Sequence, residues 1–117
     1  MSRDSLDDLN AQLLSFARER DWEQFHSPKN LAMALSVEVA EIVELFQWLT
    51  EEQSASLGAE KRAELREEIG DVMIYLANLA DKFDIDPIDA ARDKLEKNKK
   101  KYPASLVKGK ALKYSDL

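Results

Sequence analysis

The sequence predicts an all-α fold, a helical bundle of about four main helices that forms a single domain over residues 1–117. The chain has only three glycines and three prolines, and it contains no Asn-Gly or Asp-Gly pair of the kind that marks β-hairpins. Alanine, leucine, glutamate and lysine, which favour helices, are abundant instead. A length of 117 residues fits one domain with a modest core.

Composition excludes several classes of function. The 23 acidic residues outnumber the 17 lysines and arginines, and the net charge of −6 opposes non-specific binding to nucleic acid. The absence of cysteine excludes disulfides and thiolate chemistry, and a single histidine leaves oxygen atoms as the ligands for any metal. The first ten residues contain no apolar signal segment, and no apolar run is long enough to cross a bilayer. We therefore expect a cytoplasmic protein with no nucleic-acid or membrane partner.

Two helices are predicted in the first half of the chain. The first runs from about Asp4 to Glu19, because leucine, phenylalanine and alanine side chains recur there at helical spacing. Residues 20–27 break this pattern. Ser27 is then expected to cap a second helix, with Pro28 in its first position, that continues to about Thr50.

Two more helices are predicted in the second half. Residues 53–60 are expected to form a loop, which leads into a third helix from about Glu60 to Phe83. The pair Asp86-Pro87 is expected to start a fourth helix that ends near Lys100. Residues 103–117 show little periodicity, so we expect a C-terminal tail packed against the body or a neighbouring subunit.

One carboxylate falls where the second predicted helix should be apolar. At about 100° per residue, Glu38 lies inside the apolar stripe of this helix, and Glu41 lies at its edge one turn later. An unpaired buried carboxylate is energetically costly, so Glu38 needs a cation, a proton or a hydrogen-bond network. The stripe itself contains Leu31, Leu35, Ile42, Leu45, Phe46 and Leu49.

The third predicted helix carries a second pair of acids. Glu68 and Asp71 are three residues apart, on a polar flank that also holds Tyr75 and Asn78. Ile74 lies opposite the apolar stripe, which indicates a second apolar contact such as a subunit interface. The stripe contains Leu65, Ile69, Val72, Leu76, Leu79 and Phe83.

Together, the two pairs form a candidate metal site. If the helices face each other, Glu38, Glu41, Glu68 and Asp71 converge, and hard divalent cations such as Mg²⁺ prefer such an all-oxygen environment. The alternative is that these acids are solvated surface charges, which a chain with 23 acidic residues shows by chance. The position of Glu38 within an apolar stripe, matched by a second pair on the next long helix, favours the metal site.

The segments that carry these acids are similar to a known family. EVAEIVELFQW (residues 38–48) and EEIGDVMIYL (residues 67–76) resemble the all-α nucleoside triphosphate pyrophosphohydrolases of the MazG type, whose metal motif is Glu-x-x-Glu, a spacer and Glu-x-x-Asp. ERDWEQFHSPKNLAMAL (residues 19–35) and KNKKKYP (residues 97–103) resemble the dCTP pyrophosphatase branch of that family. The resemblance implies a MazG-like fold and the reaction (d)NTP + H₂O → (d)NMP + pyrophosphate, which serves nucleotide-pool sanitation.

The resemblance also implies a set of site residues. The four acids would hold Mg²⁺, and we expect Glu41 to act also as the general base. The substrate, dCTP or a modified pyrimidine nucleotide, would be held by Trp22, Glu23, Gln24, Phe25, His26, Trp48, Tyr75 and Asn78. One substrate-contacting position of the family, polar in some relatives, is Leu13 here. The resemblance further implies a homo-oligomer, a tetramer assembled as a dimer of dimers.

Other interpretations of the same residues remain. Trp22 and Trp48 also suit ordinary core packing, and His26 suits a capping or packing role. Lys94 and Lys97, on one face of the fourth predicted helix, either neutralise the outer oxygens of the triphosphate or form a solvated basic face near a helix C-terminus. For the whole chain, the alternatives are a pyrophosphohydrolase of dUTP or phosphoribosyl-ATP type and a non-enzymatic helical scaffold.

Overall fold

Helices dominate residues 5–117, the part of the chain that the computed structural model describes, apart from the side chain at position 114. No strand occurs within this range, which confirms the all-α prediction, and none of its helices is long and apolar enough to cross a membrane. Single 3₁₀ turns cover Glu23–Phe25 and Tyr114–Asp116. The helices are α1 (Leu6–Glu19), α2 (Pro28–Phe46), α3 (Glu51–Ser54), α4 (Ala59–Asp81), α5 (Pro87–Lys101) and α6 (Ala104–Val107).

Side-chain caps explain where two of the long helices begin. The Ser27 hydroxyl accepts a hydrogen bond from the backbone N–H of Asn30 at 3.1 Å, and Pro28 occupies the first turn of α2. Asp86 caps α5 in the same way, because its carboxylate accepts from the backbone N–H of Ile88 at 2.8 Å. Both predicted helix starts are therefore confirmed.

The prediction that the second helix reaches Thr50 is wrong, because α2 ends at Phe46. A capping box starts a new helix instead. The Thr50 hydroxyl accepts from the backbone N–H of Gln53 at 3.1 Å, and the Gln53 side chain accepts from the backbone N–H of Thr50 at 3.0 Å. The Thr50 N–H is therefore not available to extend α2. The predicted loop over residues 53–60 shrinks accordingly, and Trp48 lies in the turn between α2 and α3.

Two compact units divide the chain, one ending at Asp84 and the other covering Ile85–Leu117. In the first unit α2 packs along α4, and α1 also packs on α4. The second unit contains α5 and α6. The single domain over residues 1–117 stays a prediction, as does the packing of the C-terminal tail, which contains α6 and a 3₁₀ turn.

The buried core of the first unit is small. Several residues of the apolar stripe predicted on α4 are exposed in the single chain, including Ile69 at 53% and Phe83 at 59%. These residues and Leu76 are not buried in the isolated chain, because α1 and α2 cover only part of the circumference of α4. Within residues 5–117, the buried apolar residues are Ala17, Leu31, Ala77 and Ala80.

Ile74 has the second apolar environment that its position on the helix predicts. It lines a cavity together with Leu9, Leu13 and Phe16 of α1. The apolar surface opposite the stripe of α4 therefore faces α1 of the same chain, and a subunit interface at this position stays a prediction.

Candidate active site

Three carboxylates meet where α2 packs along α4. Oxygen atoms of Glu38, Glu41 and Glu68, one from each side chain, all lie within 4.8 Å of one another. Each of the three side chains is half-buried. The packing of the two helices thus brings together three of the four acids that the sequence suggests as metal ligands.

Asp71, the fourth acid, lies outside this group of three but acts on it electrostatically. It is half-buried, about one turn beyond Glu68 on α4. Its negative charge is one of the causes that raise the pKa of Glu38 and the pKa of Glu68. Asp71 is therefore close enough to influence the protonation of the group.

Hydrogen bonding, burial and charge repulsion within this group of acids change their protonation. A hydrogen bond with Glu41 is the largest cause that raises the pKa of Glu68 to about 7, followed by burial and by the charges of Glu41, Glu38 and Asp71. Burial is the largest cause that raises the pKa of Glu38, followed by the charge of Glu41. Near neutral pH the group therefore retains a proton unless a cation replaces it.

Two buried oxygen atoms of this group have no partner within the described chain. Glu38 Oε2 and Glu68 Oε2 make no hydrogen bond to residues 5–117. Buried polar atoms are normally satisfied, so these two oxygens suit an additional ligand. Mg²⁺ takes carboxylate oxygens as ligands and completes its octahedron with water and phosphate. The donor set of this group therefore fits Mg²⁺.

An aromatic cavity of about 270 Å³ lies in the same unit. Trp22 reaches it from the turn after α1, where Asp21 has a positive φ of 55° and the Trp22 N–H donates to the Ala17 carbonyl at 2.9 Å. The Trp22 ring packs edge-to-face on Phe16, with the ring centroids 5.7 Å apart, and this contact favours the observed orientation of the indole. The cavity is lined by Trp22, Phe25, His26, Asn30, Leu31, Ala34 and Tyr75.

A second cavity of about 290 Å³ adjoins the aromatic cavity, since Trp22, His26 and Tyr75 line both. Leu13 and Ile74 contribute apolar surface to the second cavity, and Asn78 contributes an amide. The aromatic cavity therefore continues into a mostly apolar space between α1 and α4.

The aromatic cavity and the acids lie next to each other along α2 and α4. Ala34 precedes Glu38 by one turn on α2, and Tyr75 follows Asp71 by one turn on α4, a separation of about 6 Å along each helix axis. Ala34 and Tyr75 line the same cavity, while Glu38 meets Glu68, so the two helices run antiparallel here. A ligand in the aromatic cavity therefore lies beside the acids.

Two neighbouring side chains that were predicted to hold the nucleotide form contacts with residues nearby in the chain. Glu23 forms an ion pair with Arg18 at 3.2 Å. The Gln24 amide donates to the backbone carbonyl of Asp21 at 2.9 Å. Neither side chain lines the aromatic cavity, so a contact between them and a ligand there requires a change of rotamer.

Trp48, another residue predicted to hold the substrate, does not line the aromatic cavity. Trp48 is 87% exposed in the turn after α2 and lines neither this cavity nor the one adjoining it. Lys94 and Lys97 are exposed on α5, which belongs to the second unit. The roles implied for these residues stay predictions.

Sequence reasoning missed two residues of the aromatic cavity, Asn30 and Ala34. Asn30 Nδ2 also donates to the backbone carbonyl of Phe25 at 3.1 Å, which ties the 3₁₀ turn to α2. The available signal was helical spacing, because Asn30 and Ala34 precede Glu38 by two turns and one turn on the same face of α2.

A basic residue beside the acids was also missed. Lys61 lines a third cavity, of about 330 Å³, together with Glu41 and Glu68. The signal was again spacing, because Lys61 precedes Glu68 by seven residues, or two turns of α4.

The all-α fold and its carboxylate group define the class of protein: this chain belongs to the MazG-like family, whose model matches residues 33–117. Two mammalian relatives are similar along almost the whole chain. The dCTP pyrophosphatase 1 of Bos taurus is 43% identical across 99% of this chain and 70% of its own length. The dCTP pyrophosphatase 1 of Homo sapiens is 44% identical across 97% of this chain and 68% of its own length.

A solved structure is similar as well. A pyrophosphatase from Archaeoglobus fulgidus DSM 4304 superposes with a TM-score of 0.79 and 42% sequence identity. The match covers 84% of this chain and 92% of the archaeal chain.

Proposed function

We propose that this chain is a Mg²⁺-dependent nucleoside triphosphate pyrophosphohydrolase that cleaves a (d)NTP to (d)NMP and pyrophosphate. The observation that carries the proposal is the group of Glu38, Glu41 and Glu68, which lies beside an aromatic cavity along the same two helices. The mammalian relatives are named dCTP pyrophosphatase 1 and the archaeal structure is called a pyrophosphatase, which supports this proposal.

In this proposal, the aromatic cavity holds the nucleoside and the acids hold the metal. Trp22, Phe25, His26 and Tyr75 surround the base, and aromatic stacking on a base contributes ~1–3 kcal/mol in comparable sites. Asn78 lies in the adjoining cavity, where its amide is available to the sugar or to a phosphate. The phosphate next to the nucleoside then lies nearest to the acids.

Glu38, Glu41, Glu68 and Asp71 would hold Mg²⁺, which supplies positive charge to the phosphates and lowers the pKa of a bound water. We assign Glu41 as the general base that accepts the proton of the attacking water. The water oxygen forms a bond to the α-phosphorus, and the bond from the α-phosphorus to the bridging oxygen breaks. The electron pair of that bond leaves with pyrophosphate.

The proposed substrate is dCTP or a modified pyrimidine nucleotide. The apolar surface of Leu13 and Ile74, next to the aromatic cavity, supports the second choice, since it can accommodate an apolar substituent on the base. Substrates of dUTP or phosphoribosyl-ATP type are the alternatives.

We also propose assembly into a homotetramer, a dimer of dimers. The support is the apolar surface that the single chain leaves exposed on its two longest helices, and such surfaces commonly mark protein interfaces. The exposed apolar residues of α2 and α4 include Met33, Val37, Val39, Val43, Ile69 and Met73. Sedimentation analysis tests the assembly, and a monomeric protein at micromolar concentration would contradict it.

Lys94 and Lys97 are proposed to neutralise outer oxygens of the triphosphate.

Pyrophosphate release across a panel of nucleotides tests the proposed reaction. The panel contains the common ribo- and deoxyribonucleoside triphosphates, 5-methyl-dCTP, oxidised purine nucleotides and phosphoribosyl-ATP, each with Mg²⁺ and with a chelator. We expect Mg²⁺-dependent release that is fastest with dCTP or its 5-methyl derivative. A helical scaffold would release nothing, and its melting temperature would not respond to Mg²⁺ with a non-hydrolysable triphosphate.

A further inference from the structure

Lys61 is the one positively charged side chain among the described residues that line the third cavity, beside the carboxylate group. Apart from Leu45, the rest of this wall is acidic, and its volume of about 330 Å³ is large enough for phosphate groups. The acids of the wall are Glu41, Glu44, Glu64, Glu67 and Glu68. Two of these, Glu41 and Glu68, belong to the group that fits Mg²⁺.

Within the described residues this lysine is not held by a close ion pair, and its place in the helix does not favour a cation. Among residues 5–117, Lys61 forms no ion pair within 4.0 Å, unlike Arg18, Arg20 and Lys99. Lys61 is also the third residue of α4, where the positive end of the helix dipole disfavours a cation. Its ammonium group is therefore available to an anion.

Along α4, Lys61 and Tyr75 lie on opposite sides of the acids. Lys61 precedes Glu68 by seven residues and Tyr75 follows Glu68 by seven residues, which is about 10 Å along the helix axis in each direction. The order along this side of the helix is ammonium group, carboxylates and aromatic cavity. A nucleotide has the matching order of outer phosphates, α-phosphate and nucleoside.

We propose that Lys61 binds the outer phosphates of the substrate and stabilises pyrophosphate as it leaves. This inference rests on the proposed function. When the bond from the α-phosphorus to the bridging oxygen breaks, the electron pair stays on pyrophosphate, and the proton of the attacking water goes to Glu41. The Lys61 ammonium group then supplies positive charge to the side of the acids where negative charge accumulates.

The test compares variants of the full chain in direct binding and in turnover. Lys61→Met keeps the alkyl stem and removes the charge, and Lys61→Arg restores a cation. Lys29→Met is the matched control, because Lys29 is exposed in the first turn of α2 and lies outside this wall. Calorimetry with Mg²⁺-pyrophosphate and with dCMP separates the outer phosphates from the nucleoside monophosphate without requiring turnover.

We expect Lys61→Met to weaken pyrophosphate binding and to raise the KM for dCTP, each by about tenfold, the effect of losing one charge-assisted hydrogen bond. Binding of dCMP should stay unchanged, Lys61→Arg should recover most of the loss, and Lys29→Met should match the wild type. Unchanged pyrophosphate binding, or equal weakening of pyrophosphate and dCMP, would overturn the inference. Lys61→Gln replaces Lys61→Met in every measurement if circular dichroism shows that the methionine variant is unfolded.

The same measurements separate this inference from the function on which it rests. If the wild type releases no pyrophosphate from any triphosphate in the panel, the proposed function fails, whatever the variants do. If the wild type turns over and Lys61→Met retains its KM and its affinity for pyrophosphate, only the role of Lys61 fails.

Discussion

Glu41 on α2 and Glu68 on α4 place carboxylate oxygens within 4.8 Å of each other, and a hydrogen bond with Glu41 is the largest cause that raises the pKa of Glu68 to about 7. Such a bond requires a proton, since two ionised carboxylates repel each other at this range. A divalent cation removes the need for that proton. Metal binding, protonation and the stability of the α2–α4 packing are therefore linked in this protein.

The stability of the metal-free protein should fall as the pH rises toward neutrality and above. The pKa of Glu68 is about 7 in the folded chain and has an ordinary value of 4.5, so between these values the folded state binds a proton that the unfolded state lacks. This contribution to stability is fully present below pH 4.5 and is lost as the pH rises through about 7. Thermal melting in a chelator at pH 5.5 and pH 8 measures it.

Glu68→Gln is the control for this pH dependence, because its amide does not titrate. The difference in melting temperature between wild type and variant should change between the two pH values, and Mg²⁺ should restore the wild type at pH 8. A difference that does not depend on pH would contradict the assignment of a raised pKa to Glu68.

Glu38→Gln should abolish Mg²⁺-dependent pyrophosphate release, a loss of about 100-fold or more, while the protein stays folded. The amide is a poor metal ligand, and removal of a half-buried charge should leave the melting temperature of the metal-free protein unchanged or raised. Glu60→Gln, an exposed acid in the first turn of α4, serves as the control and should retain activity. Full activity in Glu38→Gln would refute the metal assignment.

Trp48→Ala should raise the KM for the nucleotide more than Glu23→Ala does. The indole offers a much larger stacking surface, whose loss should reduce binding by ~1–3 kcal/mol if it stacks on the base. Because Trp48 is 87% exposed, its removal should leave the melting temperature of the chain nearly unchanged. An unchanged KM would contradict the binding role implied for Trp48, and a lower melting temperature beside it would show that Trp48 acts in packing.

Hydrolysis in ¹⁸O-labelled water should place the label in the monophosphate. The acids adjoin the cavity proposed for the nucleoside, so the α-phosphorus is the reactive centre nearest to them. The chain also has no G-x-x-x-x-G-K-[ST] sequence to present a γ-phosphate to backbone amides. Label in pyrophosphate would indicate attack at the β-phosphorus, and release of orthophosphate from fresh triphosphate would reject the reaction class.

Local signals in the sequence predicted much of the helical structure. Ser27 and Asp86 cap their helices through hydrogen bonds that span two or three residues, so the sequence pattern alone identifies them. The break after Phe46 was missed although its signal is also local, because the capping box formed by Thr50 and Gln53 interrupts an apolar pattern that continues to Leu49. Periodicity alone did not reveal that interruption.

The same distinction between local signals and long-range packing applies to the candidate active site. Sequence spacing by itself determined that Glu38 and Glu41 share one side of a helix, that Glu68 and Asp71 share one side of another, and that the chain is all-α, because these properties depend on residues a few positions apart. Only the tertiary structure decided which oxygens meet and which side chains line the aromatic cavity. It also decided that Ile69 and Phe83 stay exposed in the single chain. These outcomes depend on the register and orientation of α2, α4 and α1 against one another, which arise from packing between residues distant in sequence.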